Sequence, residues 1–269
     1  MTSPAPQLPA PAPDGPEDDA RQGFFEHLNE LRKRLVRALL GIGVGMALVG
    51  WFCERIFRWV MLPVIRSLPE NQQALHYTSY VEPFMVYLKV SLYGGVFVAA
   101  PYVLYQVWLF VAPGLYKRER KVVVPFLASG TLLFYGGAAF CYFVVMPAAF
   151  PALAAIAGDD MKPILTMTEQ LSLVLAMLLG FGIVFEVPVL IAFLSMVGLV
   201  SADFLARYRR HAIVVNTALA AIITPTGDPF NLALMAVPMI LFYEIGILLA
   251  RIVGKKKAPE AAASSSAEA

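Results

Sequence analysis

The chain has 269 residues, of which 59% are hydrophobic and 15% are charged, with a net charge of +2 and a mean hydropathy of +0.68. A soluble globular domain carries about 25% charged residues, so this composition excludes that class and indicates a polytopic membrane protein. The two cysteines, Cys53 and Cys141, are too few for a metal set or a disulfide framework.

Six apolar segments follow one another along the chain: residues 36–52, 84–112, 122–146, 171–197, 212–223 and 231–249. About 20 helical residues cross the roughly 30 Å hydrocarbon core of a bilayer, so we predict an all-α polytopic membrane protein with six transmembrane helices. The fifth rises only about 18 Å and Pro238 interrupts the sixth, so both are predicted to be short. The membrane domain is predicted to span residues 23–253, between disordered tails at 1–22 and 254–269.

Positive charge is concentrated on one side of the predicted bundle. Sixteen of the 21 Lys and Arg residues lie before the first segment or at its start (Arg37), between the second and third, between the fourth and fifth, or after the sixth. The positive-inside rule therefore places both termini in the cytoplasm. Lys89 lies just inside the second segment, where its long side chain could extend outward to the opposite interface.

A cluster of charges separates the second and third segments. Glu119 is surrounded in the sequence by four cations, Lys117, Arg118, Arg120 and Lys121. Acidic residues contribute little to membrane topology, so the presence of Glu119 needs another explanation. We predict that Glu119 recognises a positively charged ligand.

Glu30 lies before the first segment and is spaced to pair with Arg34 on a helix. One interpretation is a solvated helix whose cations only fix the topology. The other makes Glu30 a second acidic contact beside Glu119, since both residues fall on the predicted cytoplasmic side.

Two carboxylates lie inside predicted spans. An ionised carboxylate that faces lipid costs at least ~3 kcal/mol, so Glu186 either faces a water-filled cavity or is a neutral group that is hydrogen-bonded between helices. We favour the cavity wall, because Pro188 can bend the helix close to this position. Glu244 is explained by extension toward the cytoplasmic interface, on the same helix face as Arg251.

No motif predicts an enzyme, a metal site or a cofactor. The three histidines, His27, His76 and His211, are separated by the predicted topology and cannot form a metal triad. The sequence contains neither a nucleophile-elbow motif nor a Walker motif.

Several segments together resemble the TatC family, the core subunit of the twin-arginine protein translocase: HLNELRKRL, APYVLYQVWLFVAPGLYKRERK, FYGGAAFCYFVVMP, FGIVFEVPV, ITPTGDPF and YEIG. The resemblance extends from Phe24 to Ile252. It implies a cup- or glove-like six-helix bundle in the bacterial cytoplasmic (inner) membrane, which binds twin-arginine signal peptides at its cytoplasmic side. It also implies single-span TatA and TatB partners, self-association, contact with membrane lipid, no nucleic acid, and export of folded proteins driven by the proton-motive force.

The resemblance implies roles for individual residues as well. The acidic contacts of the family for the arginine pair match Glu30 and Glu119, and its loop Phe and Pro match Phe110 and Pro113. We add Arg32, from the same N-terminal motif as Glu30, to this signal-peptide site.

The resemblance implies three further roles. Glu186 matches the residue of an intramembrane cavity, Pro63 matches the proline of an exported cap, and Thr224 with Asp228 matches a partner-helix site. Many relatives carry a Gln shortly after this Asp, whereas this chain has Leu232. Asn231 could supply the polar partner contact from the adjacent position.

The residues alone leave two alternatives open. An ion-coupled solute transporter could use Glu186 as its proton carrier, but it would require a repeat symmetry that is not evident in the sequence. A purely structural scaffold would leave Glu186 and Glu119 unexplained.

Overall fold

The fold is helical throughout the described part of this computed structural model, which comprises residues 16–68, 75–111, 123–157, 164–223 and 229–254. The elements in these ranges are α1 Pro16–Gly50, α2 Cys53–Val60, α3 Leu62–Ser67, α4 Glu82–Val111, α5 Val123–Phe140, a π turn Cys141–Val145, α6 Met146–Ala157, α7 Met167–Val197, α8 Ala202–Arg207, α9 Arg209–Ile223 and α10 Pro229–Val253. The one isolated β-bridge among the described residues is parallel and joins His76 to Thr166. The predicted all-α class is confirmed.

Length and apolar composition identify the helices that can cross a bilayer. Four continuous helical stretches of the described chain qualify: Glu82–Phe110, Val124–Ala155, Met167–Val197 and Pro229–Val253. A further candidate combines His27–Gly50 with Cys53–Ser67, and its two parts meet at an angle of 90°. The 15 described residues of α9 rise only about 22 Å. The count of six transmembrane helices stays a prediction.

Several helices extend beyond their predicted limits. The third apolar segment, predicted at 122–146, continues through the π turn into α6, which ends at Ala157. α1 begins at Pro16, so residues 16–22 are helical and not part of a disordered tail. A proline is favourable at the first helical position, and the acidic residues that follow it suit a helix N-terminus. α10 has 25 residues and continues through Pro238, so the prediction of a short sixth helix is wrong; membrane helices tolerate such prolines where neighbouring groups satisfy the freed backbone. The outer parts of the predicted tails, 1–15 and 255–269, lie outside the described residues.

α1 and α4 cross at a pair of glycines. A Cβ atom added to Gly45 would lie 2.6 Å from the carbonyl oxygen of Gly95, and one added to Gly95 would lie 2.5 Å from the backbone nitrogen of Met46. Only glycine allows the two backbones to approach this closely. Small residues at helix interfaces in membranes permit such contact and increase the van der Waals attraction between helices.

α7 is the central helix of the described bundle. In the most apolar 18-residue stretch of α7, 61% of the residues are buried. The corresponding stretches of the other three continuous candidate spans have 28% to 39% of their residues buried. It packs against α4, α5 and α10, and its side chains Phe181 and Phe193 are fully buried. The neighbours of α7, the helix that carries Glu186, therefore lie on several of its sides.

One end of the bundle, which we call the terminal face, holds His27 of α1 and the ends of α4, α7 and α10. Phe193 of α7 contacts Trp108 of α4, with ring centroids 4.6 Å apart. Ser195 of α7 donates a hydrogen bond to the carbonyl oxygen of Ala250 in α10 at 3.3 Å. The other end, which holds α2 and α3, is called the opposite face.

Hydrogen bonds close the opposite face. The N–H of His76 donates to the carbonyl oxygen of Leu165, and the carbonyl oxygen of His76 accepts from the N–H of Met167, both at 2.9 Å. The Glu82 carboxylate, at the start of α4, accepts from the N–H of Thr78 at 2.7 Å and of Thr168 at 3.1 Å. These bonds join the beginning of α4 to the beginning of α7.

Replacing Gly45 with Ala is expected to destabilise the protein by about 1–3 kcal/mol, because its Cβ atom would force α1 away from the Gly95 carbonyl. Gly43→Ala is the matched control on the same helix, since a Cβ atom at Gly43 has no heavy atom within 4 Å. The melting temperature of each purified variant in detergent measures the effect. Equal melting temperatures for the two variants would contradict the close-contact interpretation.

Candidate functional site

The terminal face brings together residues from α1 and α4. The imidazole of His27 stacks on the ring of Phe110, with centroids 4.5 Å apart and an interplanar angle of 22°. Glu30 lies three residues after His27 and therefore on the same side of α1. Glu30 and Phe110, which were predicted from separate motifs, thus lie at one face of the protein. No role in this site was predicted for His27, because nothing in the sequence indicated an aromatic partner 83 positions away.

Glu30 is oriented by Arg34 of the next helical turn. The Nε and Nη2 atoms of Arg34 donate to Glu30 Oε1 at 3.0 and 2.5 Å, so the predicted pairing is confirmed. The Glu30 side chain remains 34% exposed. Its other oxygen, Oε2, accepts no hydrogen bond from the described residues. Since an i,i+4 ion pair on a helix contributes only about 0.3–0.5 kcal/mol, a cationic ligand can compete with Arg34 or bind at Oε2.

Arg32 is exposed but is not grouped with Glu30. Residues two positions apart on a helix point to different sides of it. The arrangement therefore gives Glu30 and Arg32 no common binding surface on α1.

An aromatic cluster supports the terminal face from within the bundle. Trp108 of α4 is only 4% exposed and contacts Phe126 of α5, with ring centroids 5.7 Å apart. Phe126 in turn contacts Phe193 of α7 at 5.5 Å. The described residues on either side of the stretch 112–122 therefore lie at the terminal face. Glu119 and Pro113, which were predicted for the same site, fall in that stretch and lie outside the described residues.

The side chain of Glu186, a residue of α7, lies against α5. A Cβ atom added to Gly130 of α5 would lie 2.9 Å from Oε2 and 3.3 Å from Oε1 of Glu186. Oε1 is buried and finds no hydrogen-bond partner among the described residues. The alternative prediction for Glu186, a carboxyl group that is hydrogen-bonded between helices, is therefore not supported at Oε1. A buried polar oxygen without a partner is costly, which marks this position as a place where water or a ligand would be stabilising.

The remaining predicted residues lie at separate places. Pro63 is buried in the first turn of α3 at the opposite face, where its missing N–H removes no helix bond. Asn231 is 6% exposed at the start of α10, and Leu232 packs against the core. Thr224 and Asp228 lie outside the described residues, so their predicted grouping with Asn231 stays a prediction.

Two charged side chains have partners that the sequence did not reveal. Arg209 of α9 pairs with Glu244 of α10 at 2.8 Å, whereas Glu244 was expected to extend toward the Arg251 side of its own helix. Lys89 donates a hydrogen bond from Nζ to Ser172 Oγ of α7 at 2.9 Å, so it does not simply extend outward. In both cases the partner belongs to another helix, and local spacing cannot identify it.

The described residues show no metal or disulfide chemistry. In these ranges no three His, Cys, Asp or Glu side chains are placed to hold a metal ion. Cys53 and Cys141 are both free thiols.

The contact between α1 and α4 at the terminal face can be tested with a disulfide. In a variant with Cys53 and Cys141 replaced by Ala, we expect His27→Cys and Phe110→Cys to crosslink on mild oxidation, because the native rings stack at 4.5 Å. A protease site inserted at residues 69–74 would give two fragments that stay joined until reduction. Leu28→Cys with Phe110→Cys is the control, since residue 28 is turned about 100° around the helix. Equal crosslinking of the two pairs would contradict the stacked arrangement.

Comparisons with known proteins identify the family of this chain. Residues 26–238 match the family described as "Sec-independent protein translocase protein (TatC)". The chain is 45% identical to the TatC protein of Koribacter versatilis, over 87% of this chain and 86% of the relative. It is 39% identical to TatC of Escherichia coli K12, over 87% and 90%. A crystal structure of the twin arginine translocase receptor TatC matches with a TM-score of 0.77 at 35% identity, over 84% of this chain and 99% of that one. The chain belongs to the TatC family of Sec-independent protein translocase proteins.

Proposed function

We propose that this chain is the signal-peptide receptor of a twin-arginine translocase and that its terminal face binds the peptide. Membership of the TatC family makes it a protein-transport component and not an enzyme, and decides against a solute transporter. The observation that carries the peptide site is the stacking of His27 on Phe110, which brings Phe110 to the side of α1 that holds Glu30.

The chemistry of the site suits an arginine pair. A guanidinium group carries donors in a planar fork that matches a carboxylate, which a Lys ammonium cannot reproduce. Arg34 holds Oε1 of Glu30 in the free protein, and we propose that a ligand guanidinium displaces Arg34 to take both oxygens. We propose Glu119 as the acceptor for the second guanidinium, with Phe110 and Pro113 contacting the adjacent peptide. Because Arg32 points to another side of α1, we assign it no contact with the arginine pair.

The apolar segment of the signal peptide is proposed to enter the bundle beside Glu186. The half-buried position of this carboxylate between α5 and α7 supports a cavity wall, and its unpaired oxygen would hold water in the apolar interior. A hydrated interior of this kind would lower the barrier for a folded passenger.

Topology and partners follow from the charge pattern and from the family. The concentration of cations supports a cytoplasmic location for the terminal face and both chain termini, in a bacterial inner membrane. We propose that single-span TatA and TatB subunits dock at the partner-helix site of Thr224, Asp228 and Asn231. Self-association of the receptor and export driven by the proton-motive force belong to the same proposal.

Glu30→Gln is expected to weaken the binding of a twin-arginine peptide by about 10- to 100-fold, because a hydrogen bond to a charged group contributes about 1.5–3 kcal/mol. The binding constant is measured by fluorescence anisotropy with the protein in nanodiscs, using peptides that carry Arg-Arg or Lys-Lys. Glu54→Gln is the matched control, since Glu54 pairs with Arg58 in the same i,i+4 geometry on α2. Glu119→Ala is expected to abolish binding while the protein stays folded. An unchanged affinity in the Glu30 and Glu119 variants would refute the receptor site.

The length of α9 provides a separate prediction about transport. Its 15 described residues rise about 22 Å, less than the roughly 30 Å hydrocarbon core, so we expect the bilayer to be thinner beside it. Inserting about five apolar residues into α9, or about 7.5 Å of helix, is expected to block export while peptide binding is retained. Export of a folded reporter by cells measures the effect, and insertion of the same residues into the α8–α9 connection is the control. Undiminished export would remove the thinning hypothesis.

A further inference from the structure

A cleft of about 380 Å³ opens at the opposite face, between the short helix α3 and the segment formed by the π turn and α6. Its lining combines aromatic rings, prolines and one cation, and includes Trp59, Pro63, Arg66, Tyr142, Phe143 and Pro147. None of these residues belongs to the proposed peptide site or to the partner-helix site. Pro63 was predicted for the exported cap, without a ligand. The cleft therefore needs an explanation of its own.

The walls of the cleft are held in place by internal contacts. Trp59 and Tyr142 stack with ring centroids 4.4 Å apart and an interplanar angle of 16°. The Tyr142 hydroxyl donates to the carbonyl oxygen of Trp59 at 2.6 Å, and the Ser67 hydroxyl donates to that of Val64 at 2.7 Å. These two hydroxyl protons are used within the protein, so they are not directed at a ligand. A peptide, which needs partners for its backbone groups, would find few in this cleft.

Arg66 is the cation of the cleft. Its side chain is exposed, and none of the described carboxylates lies within 4.0 Å of its guanidinium, whereas Arg58 is paired with Glu54. α2 and α3 follow α1 at an angle of 90°, so they run along the membrane surface when α1 crosses it. Arg66 is thus placed at the level where lipid phosphates occur.

Apolar surface continues from the cation toward the hydrocarbon core. Phe143 is 67% exposed and belongs to the apolar stretch Val124–Ala155, which can cross the bilayer. A molecule seated in the cleft would therefore meet both a guanidinium and an exposed aromatic side chain. This pairing matches the two ends of a phospholipid, a phosphate and an acyl chain.

We propose that this cleft binds one anionic phospholipid, with its phosphate at Arg66 and an acyl chain along Phe143. The headgroup is expected to be anionic because Glu54, the one carboxylate of α2 and α3, is paired with Arg58, which leaves Arg55 and Arg66 as cations without an acidic partner among the described residues. A zwitterionic headgroup would bring an ammonium group into this positive field. The bound lipid would fill the space between α3 and α6 and hold the opposite face at the bilayer surface.

Native mass spectrometry of the purified protein tests the proposal. Detergent-solubilised protein is mixed with phosphatidylglycerol or with phosphatidylcholine of the same acyl chains, and the retained lipid is counted. We expect the wild-type protein to retain phosphatidylglycerol preferentially and Arg66→Gln to weaken this retention about fivefold, the effect of one basic residue near an anionic lipid. Arg58→Gln removes the same charge from a paired residue of α2 and is expected to retain the lipid.

A second variant tests the acyl-chain wall. Leu62→Trp would fill the cleft, which Leu62 lines, and is expected to reduce retention although Arg66 is intact. A phosphatidylglycerol with a photoreactive acyl chain is expected to label the stretch that contains Phe143 and Pro147 in the wild-type protein only. Melting temperatures show whether each variant is folded.

Three outcomes would overturn the proposal. They are equal retention of the two lipids by the wild-type protein, equal retention of phosphatidylglycerol by the wild-type and Arg66→Gln proteins, and labelling confined to other helices. Displacement of the lipid by a signal peptide in an Arg66-dependent manner would make the cleft a peptide site and would also reject it.

Discussion

The position of α1 depends on one main-chain contact, the approach of Gly45 to Gly95. A side chain on either residue would overlap the backbone of the other helix, so α1 and α4 can approach this closely only where both residues are glycine. His27 lies 18 residues before Gly45, about 27 Å along the helix axis. Contact near the apolar half of α1 therefore determines where its charged half lies. The stacking of His27 on Phe110 and the position of Glu30 are consequences of that contact.

The two ends of the bundle use polar groups differently. At the opposite face, main-chain bonds of His76 and the carboxylate of Glu82 join separate helices, and such bonds restrict motion. At the terminal face the described ion pairs, Glu30 with Arg34 and Arg209 with Glu244, are partly exposed, as is the Glu54–Arg58 pair at the opposite face, and none of the main-chain bonds named above reaches the terminal face. Exposed pairs contribute little to stability and exchange readily. A face of this kind can give up its internal partners to a ligand, which is what a receptor for a cationic peptide requires.

Sequence reasoning predicted the features that depend on local chemistry. The all-α class, the long apolar helices and the Glu30–Arg34 pair follow from composition and from the spacing of residues on a helix. It was wrong where a helix is stabilised by its surroundings, as at Pro238 inside α10. It also missed the partners of Lys89 and Glu244, because Ser172 and Arg209 lie on other helices. For Glu186 it gave the membrane depth but not the neighbour, Gly130.

The amino-acid sequence by itself determined that this protein is a helical membrane protein, which segments are apolar, where the cations concentrate, and to which family its motifs belong. These properties reside in single residues and short spacings, and the free energy of transfer into a bilayer acts on each segment separately. The tertiary structure decided which parts of the helices come together: His27 with Phe110 at one face, and Arg66 and Phe143 in the lining of one cleft. The physical reason is that helix packing depends on backbone approach and side-chain shape between segments far apart in the chain, and no local pattern encodes the distance between them.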